Sequence, residues 1–333
     1  MTDRGIDDYW TGRARPAAGE TVAPAARIRA IDGVVPFEDE VGAPRVPTVP
    51  AALREVLFGQ PDAFDPPMQT FAVLEAARVP GLAEMLETSE LDHACLFQGA
   101  AAEDFRDVAP WIVRLDEDHV LTRRLFTRGD APWNLWDREP GLIVRSRAGM
   151  DDVRRHLRKF TRLPDASGRW YHVRFWEGRL LADLAQGPAT AFLAQLLREP
   201  VLEAVVAGEG YALHMQGPTT APVAPPPMLD EVTLRGMARY ARGHFLRGLR
   251  AECLARPGMT AERADTIIAR LLAQDVRSRE ALRDLAAWWS TPEGWAAAVS
   301  DWGGAELAAS RGMPDLLRVH RLRNLAAVRA GRS

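Results

Sequence analysis

Three groups of residues in this 333-residue chain have types and spacings that could do chemistry. His93 and Cys95 lie two apart, so on a strand they share a face, as a thiol nucleophile and its base would need. The blander reading makes Cys95 a small buried hydrophobe and His93 a strand-edge residue, and it is preferred because free cysteines are mostly buried and inert. Asp116-Glu117-Asp118-His119 offers four metal-ligating side chains in a row. Adjacent ligands rarely converge on one ion, so the run is expected to be a solvated acidic loop with Asp118 capping the next helix. His156 has no acid or nucleophile near it in sequence that resembles a catalytic partner, and it is assigned to packing or a helix surface. The chain contains no phosphate-binding P-loop, no HExxH, no CxxC pair and no GxSxG. The expectation is therefore no catalytic residue, no metal and no cofactor.

Charge is the stronger signal. From Arg138 to Arg179 there are eleven basic residues against five acids, a balance of +6, with Trp170, Tyr171 and Trp176 interleaved. From Glu84 to Asp118 ten acids face only Arg106 and Arg114, a balance of −8. Three readings of the basic run stay open: a helix face paired with acids elsewhere, a surface for an acidic protein, or a stacking platform for nucleic acid. The net charge of −3 gives no global attraction for nucleic acid. Only Lys159 among the 42 basic residues is a lysine; coding bias toward arginine is preferred over selection for bidentate contacts. Trp288-Trp289, Trp295 and Trp302 form a second concentration of binding-type residues. Adjacent tryptophans cannot share one helical face, so one of Trp288 and Trp289 is expected to pack inward, the other to be exposed or to meet the first domain or a partner.

The elements that must position these residues follow from periodicity. The stretch Gly141–Trp176 reads as strand, helix, turn, strand: Leu142–Val144 is an apolar run, Asp151-Asp152 opens a helix whose Val153, Leu157 and Phe160 share a face, Pro164 stops it, and Tyr171–Trp176 alternates. Before it, strands are expected at Gln69–Leu74, Ala94–Phe97 and Trp111–Leu115, and helices at Gly81–Glu87 and Val120–Thr127. After it come helices at Gly178–Gln186 and Ala189–Arg198, then a hairpin of Val201–Ala207 and Tyr211–Met215. The fold class is an α/β N-terminal lobe, a mixed sheet with helices, followed by an all-α C-terminal lobe. The domains are a Pro/Ala-rich N-terminal arm at 1–66, in which Pro50–Gly59 is a short helix, an α/β domain at 67–216, a Pro-rich linker at 217–227, and a helical lobe at 228–333. In that lobe Leu234, Met237, Ala241, Phe245, Leu249 and Cys253 make a long stripe. Thr260 and Ser278 are expected N-caps, and further helices are expected around Trp295–Val299 and Pro314–Val328. Two cysteines make no disulfide framework, and the opening MTDRGIDDYW has no basic segment followed by an apolar run, so no signal peptide is expected. No uncharged apolar run approaches the roughly 18 residues of a membrane span.

The same stretches carry a resemblance. Phe71-Ala72-Val73-Leu74-Glu75-Ala76-Ala77, Cys95-Leu96-Phe97-Gln98-Gly99, Ala109-Pro110-Trp111-Ile112-Val113, Trp136 followed by Gly141-Leu142, and His156-Leu157-Arg158 with Val173-Arg174-Phe175-Trp176-Glu177-Gly178-Arg179 occur in order. Together they resemble the type VI secretion effector-adaptor chaperones of domain-of-unknown-function family 4123, over roughly Gln69–Leu181. Trp176 stands where the family usually has Tyr, and Glu177-Gly178 where it has Asp-Pro. The resemblance implies a cytoplasmic adaptor chaperone, not an enzyme, whose partners are a secreted effector protein and the spike (VgrG-type) protein onto which that effector is loaded, with no nucleic acid and no membrane. Partner-binding candidates are Arg145, Arg147, Arg154, Arg158, Arg174, Trp176 and Arg179 from the basic run, and Trp288 and Trp289 from the helical lobe. The alternatives are an enzyme, a hydrolase or nucleotide-using transferase with a site assembled from distant residues, and an RNA-binding module.

Overall fold

The computed structural model describes residues 26–39, 47–61, 66–218, 226–274 and 276–331. Most of the proline-rich linker at 217–227 and much of the arm at 1–66 therefore lie outside the described residues. The chain divides into two compact units, with the division inside one helix between Met237 and Ala238.

The first unit is built on a seven-stranded sheet in the order β1-β9-β8-β5-β2-β4-β3. Its strands are β1 (Arg27–Val34), β2 (Gln69–Glu75), β3 (His93–Cys95), β4 (Pro110–Leu115), β5 (Gly141–Ser146), β8 (Glu203–Gly208) and β9 (Gly210–Gln216). Every neighbouring pair is antiparallel, where a mixed sheet was expected. β2 lies between β4 and β5 and is buried along nearly its whole length, as its unbroken apolar run requires. Alternation sends Ala72 and Leu74 to one face, with Val113, Ile143, Val205 and Ala212, under α1 (Ala51–Phe58), α2 (Leu82–Glu87) and α4 (Val120–Leu125). Phe71 and Val73 point to the opposite face. Beyond them lie α5 (Met150–Arg158), α6 (Gly178–Ala185) and α7 (Thr190–Leu196), joined by an aromatic cluster in which Phe160 meets Phe175 at 6.4 Å and Phe192 at 6.0 Å. The short helix α3 (Ala100–Asp104) sits between β3 and β4. Gly141 is required where β5 begins: a Cβ there would lie 1.7 Å from the Val73 carbonyl oxygen of β2.

Two elements differ from expectation. β1, not foreseen as a strand, is a sheet edge paired only with β9, and its half-exposed sequence RIRAIDGV shows no clean alternation. The strand expected at Tyr171–Trp176 ends at His172: β7 (Trp170–His172) pairs only with β6 (Arg162–Pro164) in a separate hairpin. Phe175 and Trp176 are adjacent and both buried, which a strand with one solvated face cannot achieve, so the chain turns there.

The second unit is helical: most of α8 (Glu231–Leu254), then α9 (Ala261–Ala273), α10 (Arg279–Trp289), α11 (Pro292–Val299), α12 (Asp301–Ala309) and α13 (Asp315–Ala330). Thr260 and Ser278 cap α9 and α10 as expected, and Thr291 caps α11 ahead of Pro292. The helix α12, DWGGAELAA, was not foreseen; its two glycines depress helix propensity. Helix α10 packs against α9, α11 and α13. With neighbours on several sides it buries both tryptophans, Trp288 to 9% and Trp289 to 2% exposure, which corrects the expectation that one would face outward.

Candidate partner-binding surface

Within the first unit the seven candidate residues fall in separate places, and Trp288 and Trp289 are buried in the second unit. Arg145 is 3% exposed, on the α1 face of β5. It donates to the carbonyls of Val56 (3.0 Å) and Gly59 (2.5 Å) at the end of α1 and lies 3.8 Å from Glu203. Glu203 accepts from Gln216 at 3.1 Å and pairs with His214 at 3.0 Å. Burial raises the Glu203 pKa, but the hydrogen bonds from His214 and Gln216 and the charge of Arg145 outweigh it and hold the group below the usual glutamate value. This cluster fastens α1 to the sheet. Sequence reasoning passed over Glu203 and His214, although the phase of Val205 already placed Glu203 inward.

Arg147 donates to Pro66 O at 2.8 Å. Arg154 and Arg158, one turn apart on α5, donate to Cys95 O (2.8 Å) and Leu96 O (3.1 Å) at the end of β3. Through these bonds they clamp the helix to the sheet edge. Burial pushes the Cys95 thiol pKa up, against the nearby charges of Arg154 and Arg158, the reverse of an activated nucleophile. His93 donates from Nδ1 to Leu91 O, just before its strand, at 2.8 Å. His119, rather than Asp118, caps α4: its Nδ1 accepts from the Leu121 N–H at 3.0 Å. Asp116 folds back on the Asp118 N–H, and Glu117 pairs with Arg54. Among the described residues no group of three or more His, Cys, Asp or Glu is placed to hold a metal ion. His156 is buried in a packing role, its Nε2–H donating to Leu196 O at 2.9 Å and its ring 5.1 Å from Phe160.

Arg174 and Arg179 belong to a network at the other end of β2. Glu75, 3% exposed, receives Arg174 at 2.5 Å and Arg78 at 3.3 Å. Arg174 also reaches Glu177 at 2.8 Å, and Glu139 pairs with Arg179 and, at 3.7 Å, with Arg78. Three glutamates and three arginines balance within this network, which ties this end of the domain together by charge. Trp176 is buried against Phe175, with its indole N–H unpartnered among the described residues.

Arg155, Lys159, Arg174 and Arg179 of the basic run are exposed, and so is one face of the β6–β7 hairpin. Leu163 and Tyr171 point inward; Arg162, Trp170 and His172 point out. The Arg162 guanidinium lies 5.2 Å from the Trp170 ring centroid.

Residues 70–193 match the model of a family described as a domain of unknown function (DUF4123). The match runs from β2 into α7, so the resemblance read from the motifs is borne out at the level of the domain. It also contains both halves of the Glu75–Arg174 contact, which joins the first and last of those motifs. No curated protein and no solved structure matches the chain. No described helix is long and apolar enough to cross a membrane.

Proposed function

We propose that this protein is a cytoplasmic adaptor chaperone of type VI secretion, one that holds a secreted effector and helps load it onto the spike protein. The observation that carries the reading is the DUF4123 match over residues 70–193, together with what the resemblance of that domain implies. In this reading the protein works by binding, not by catalysis. The test is genetic and biochemical. In the source bacterium, deletion of the gene should remove one effector from the medium while the spike protein is still released. The full chain, tagged and returned, should restore secretion and co-purify with that effector. Unchanged secretion of every effector in the deletion strain would refute the proposal. A purified chain that turns over esters, phosphoesters or nucleotides, with the rate abolished by one point substitution, would favour the enzymatic alternative.

A further inference from the structure

The turn between β6 and β7 is more rigidly built than its size suggests. Asp165 Oδ1 accepts from the Ser167 N–H (2.8 Å), the Ser167 hydroxyl (2.6 Å) and the Arg169 N–H (3.0 Å), and Oδ2 accepts from the Tyr171 hydroxyl at 3.0 Å. Gly168 takes φ +82°, the left-handed position that closes the turn. On the hairpin's edge the Leu229 N–H donates to Pro164 O at 2.9 Å. Burial opposes the charge on Asp165, but the four hydrogen bonds hold its pKa below the usual aspartate value. The one carboxylate of the hairpin is thus turned into its own loop, where it cannot neutralise the outer face.

That outer face carries Trp170, 55% exposed although a neighbouring guanidinium stacks on it. It also carries Arg162 and the exposed His172, paired across the hairpin; the exposed Lys159 lies three residues before Arg162 in the chain. Among the described residues no carboxylate pairs with Lys159 or Arg162, whereas Arg155 is balanced by Asp152 and Arg174 by Glu75 and Glu177. An exposed tryptophan beside an arginine with which no carboxylate pairs among the described residues, on a hairpin pinned by its own turn, loses little side-chain freedom when something lands on it. We infer that the outer face of the β6–β7 hairpin is a docking platform for an acidic protein segment, with Trp170 as the apolar anchor and Arg162 as its charge partner. The charge selects the occupant: a basic segment is repelled, and the open side of the indole takes an apolar side chain flanked by carboxylates. The inference deepens the proposed function and rests on it only in making the partner a protein.

The test needs neither effector nor spike, so its failure would remove this surface and leave the secretion result standing. The probe is a fluorescein-labelled peptide with glutamates flanking a central leucine–tryptophan pair, titrated into the full chain and followed by anisotropy. Saturable binding is expected, weakening as salt is added. Trp170→Ala and Arg162→Glu should each weaken it by about tenfold or more, since anchors and close charge pairs carry binding of this kind. Trp133→Ala, at a tryptophan 47% exposed outside the hairpin, should leave it unchanged. Melting curves check that the variants remain folded, and Trp170→Phe should recover most of the affinity if the anchor is the aromatic ring. Absence of saturable binding overturns the platform, as does equal loss in Trp133→Ala. A single-stranded RNA oligonucleotide binding this face more tightly than the peptide would reassign it to nucleic acid, and self-association abolished by Trp170→Ala would reassign it to a second copy of the chain. Either result rejects the acidic-segment assignment.

Discussion

His156 makes the stability of this protein depend on pH in a calculable way. Its ring is buried, and burial, only partly offset by the hydrogen bond to Leu196 O, pushes its pKa down from 6.5 to about 4. In the unfolded chain the group keeps an ordinary histidine value of about 6.5. Between these values the unfolded chain binds a proton that the folded chain does not, so stability rises with pH across the window and falls as pH drops through it. Below the folded value both states are protonated and the loss is complete. The full window corresponds to about 3 kcal/mol, at about 1.4 kcal/mol per pH unit. His156→Gln removes the titration but keeps an N–H able to reach Leu196 O. Urea unfolding followed by circular dichroism at about pH 7.5 and about pH 4.5 should show wild type losing about 2.5 kcal/mol more than the variant. Carboxylates common to both proteins cancel in this difference. If the two proteins lose stability in parallel, within about 0.5 kcal/mol, the buried neutral imidazole is not the titrating group and the reasoning fails.

The remaining predictions concern residues that read as partner-binding candidates in the sequence and make structural contacts in the fold. Arg145→Met should cost about 3–5 kcal/mol in urea unfolding, because it leaves Glu203 buried with a partner missing and frees two carbonyls of α1; a cost under about 1 kcal/mol would refute the anchoring role. Arg154→Ala and Arg158→Ala should each destabilise by about 1–3 kcal/mol and increase hydrogen exchange at β3, whereas a surface role would leave exchange there unchanged. Trp288→Ala and Trp289→Ala should both lower the melting temperature of the helical unit, each costing about 3–5 kcal/mol, and retention of the wild-type melting temperature in either would show that its side chain is not in the core.

Much of the architecture was legible where one physical signal dominated. The unbroken apolar run of β2, the stripe of α8 and the caps Thr260 and Ser278 each state a local preference that tertiary structure did not override. β1 was not legible because an edge strand buries too little for alternation to be enforced, and the early end of β7 was not because Phe175 and Trp176 answer to the aromatic cluster rather than to strand period. The candidate surface was legible as a concentration of charge and not as a place. Nothing local to Arg145 says that its acceptors are Val56 and Gly59, more than eighty residues away, and nothing local to Arg174 names Glu75. Trp288 and Trp289 misled for a related reason: helical phase tells which residues share a face, not how many neighbours a helix will have.

Arginine side chains in this fold reach repeatedly for main-chain oxygens: Arg145, Arg147, Arg154 and Arg158 in the first unit, and Arg263, Arg270, Arg318 and Arg323 in the second. Every residue type presents the same carbonyl, so the receiving position is free to change identity while the contact persists. Such contacts leave no paired signature in evolving sequences, because only one member of each pair is under constraint. Methods that infer proximity from correlated substitutions have no second side chain to read at the bonds that fasten α1 and α5 to the sheet.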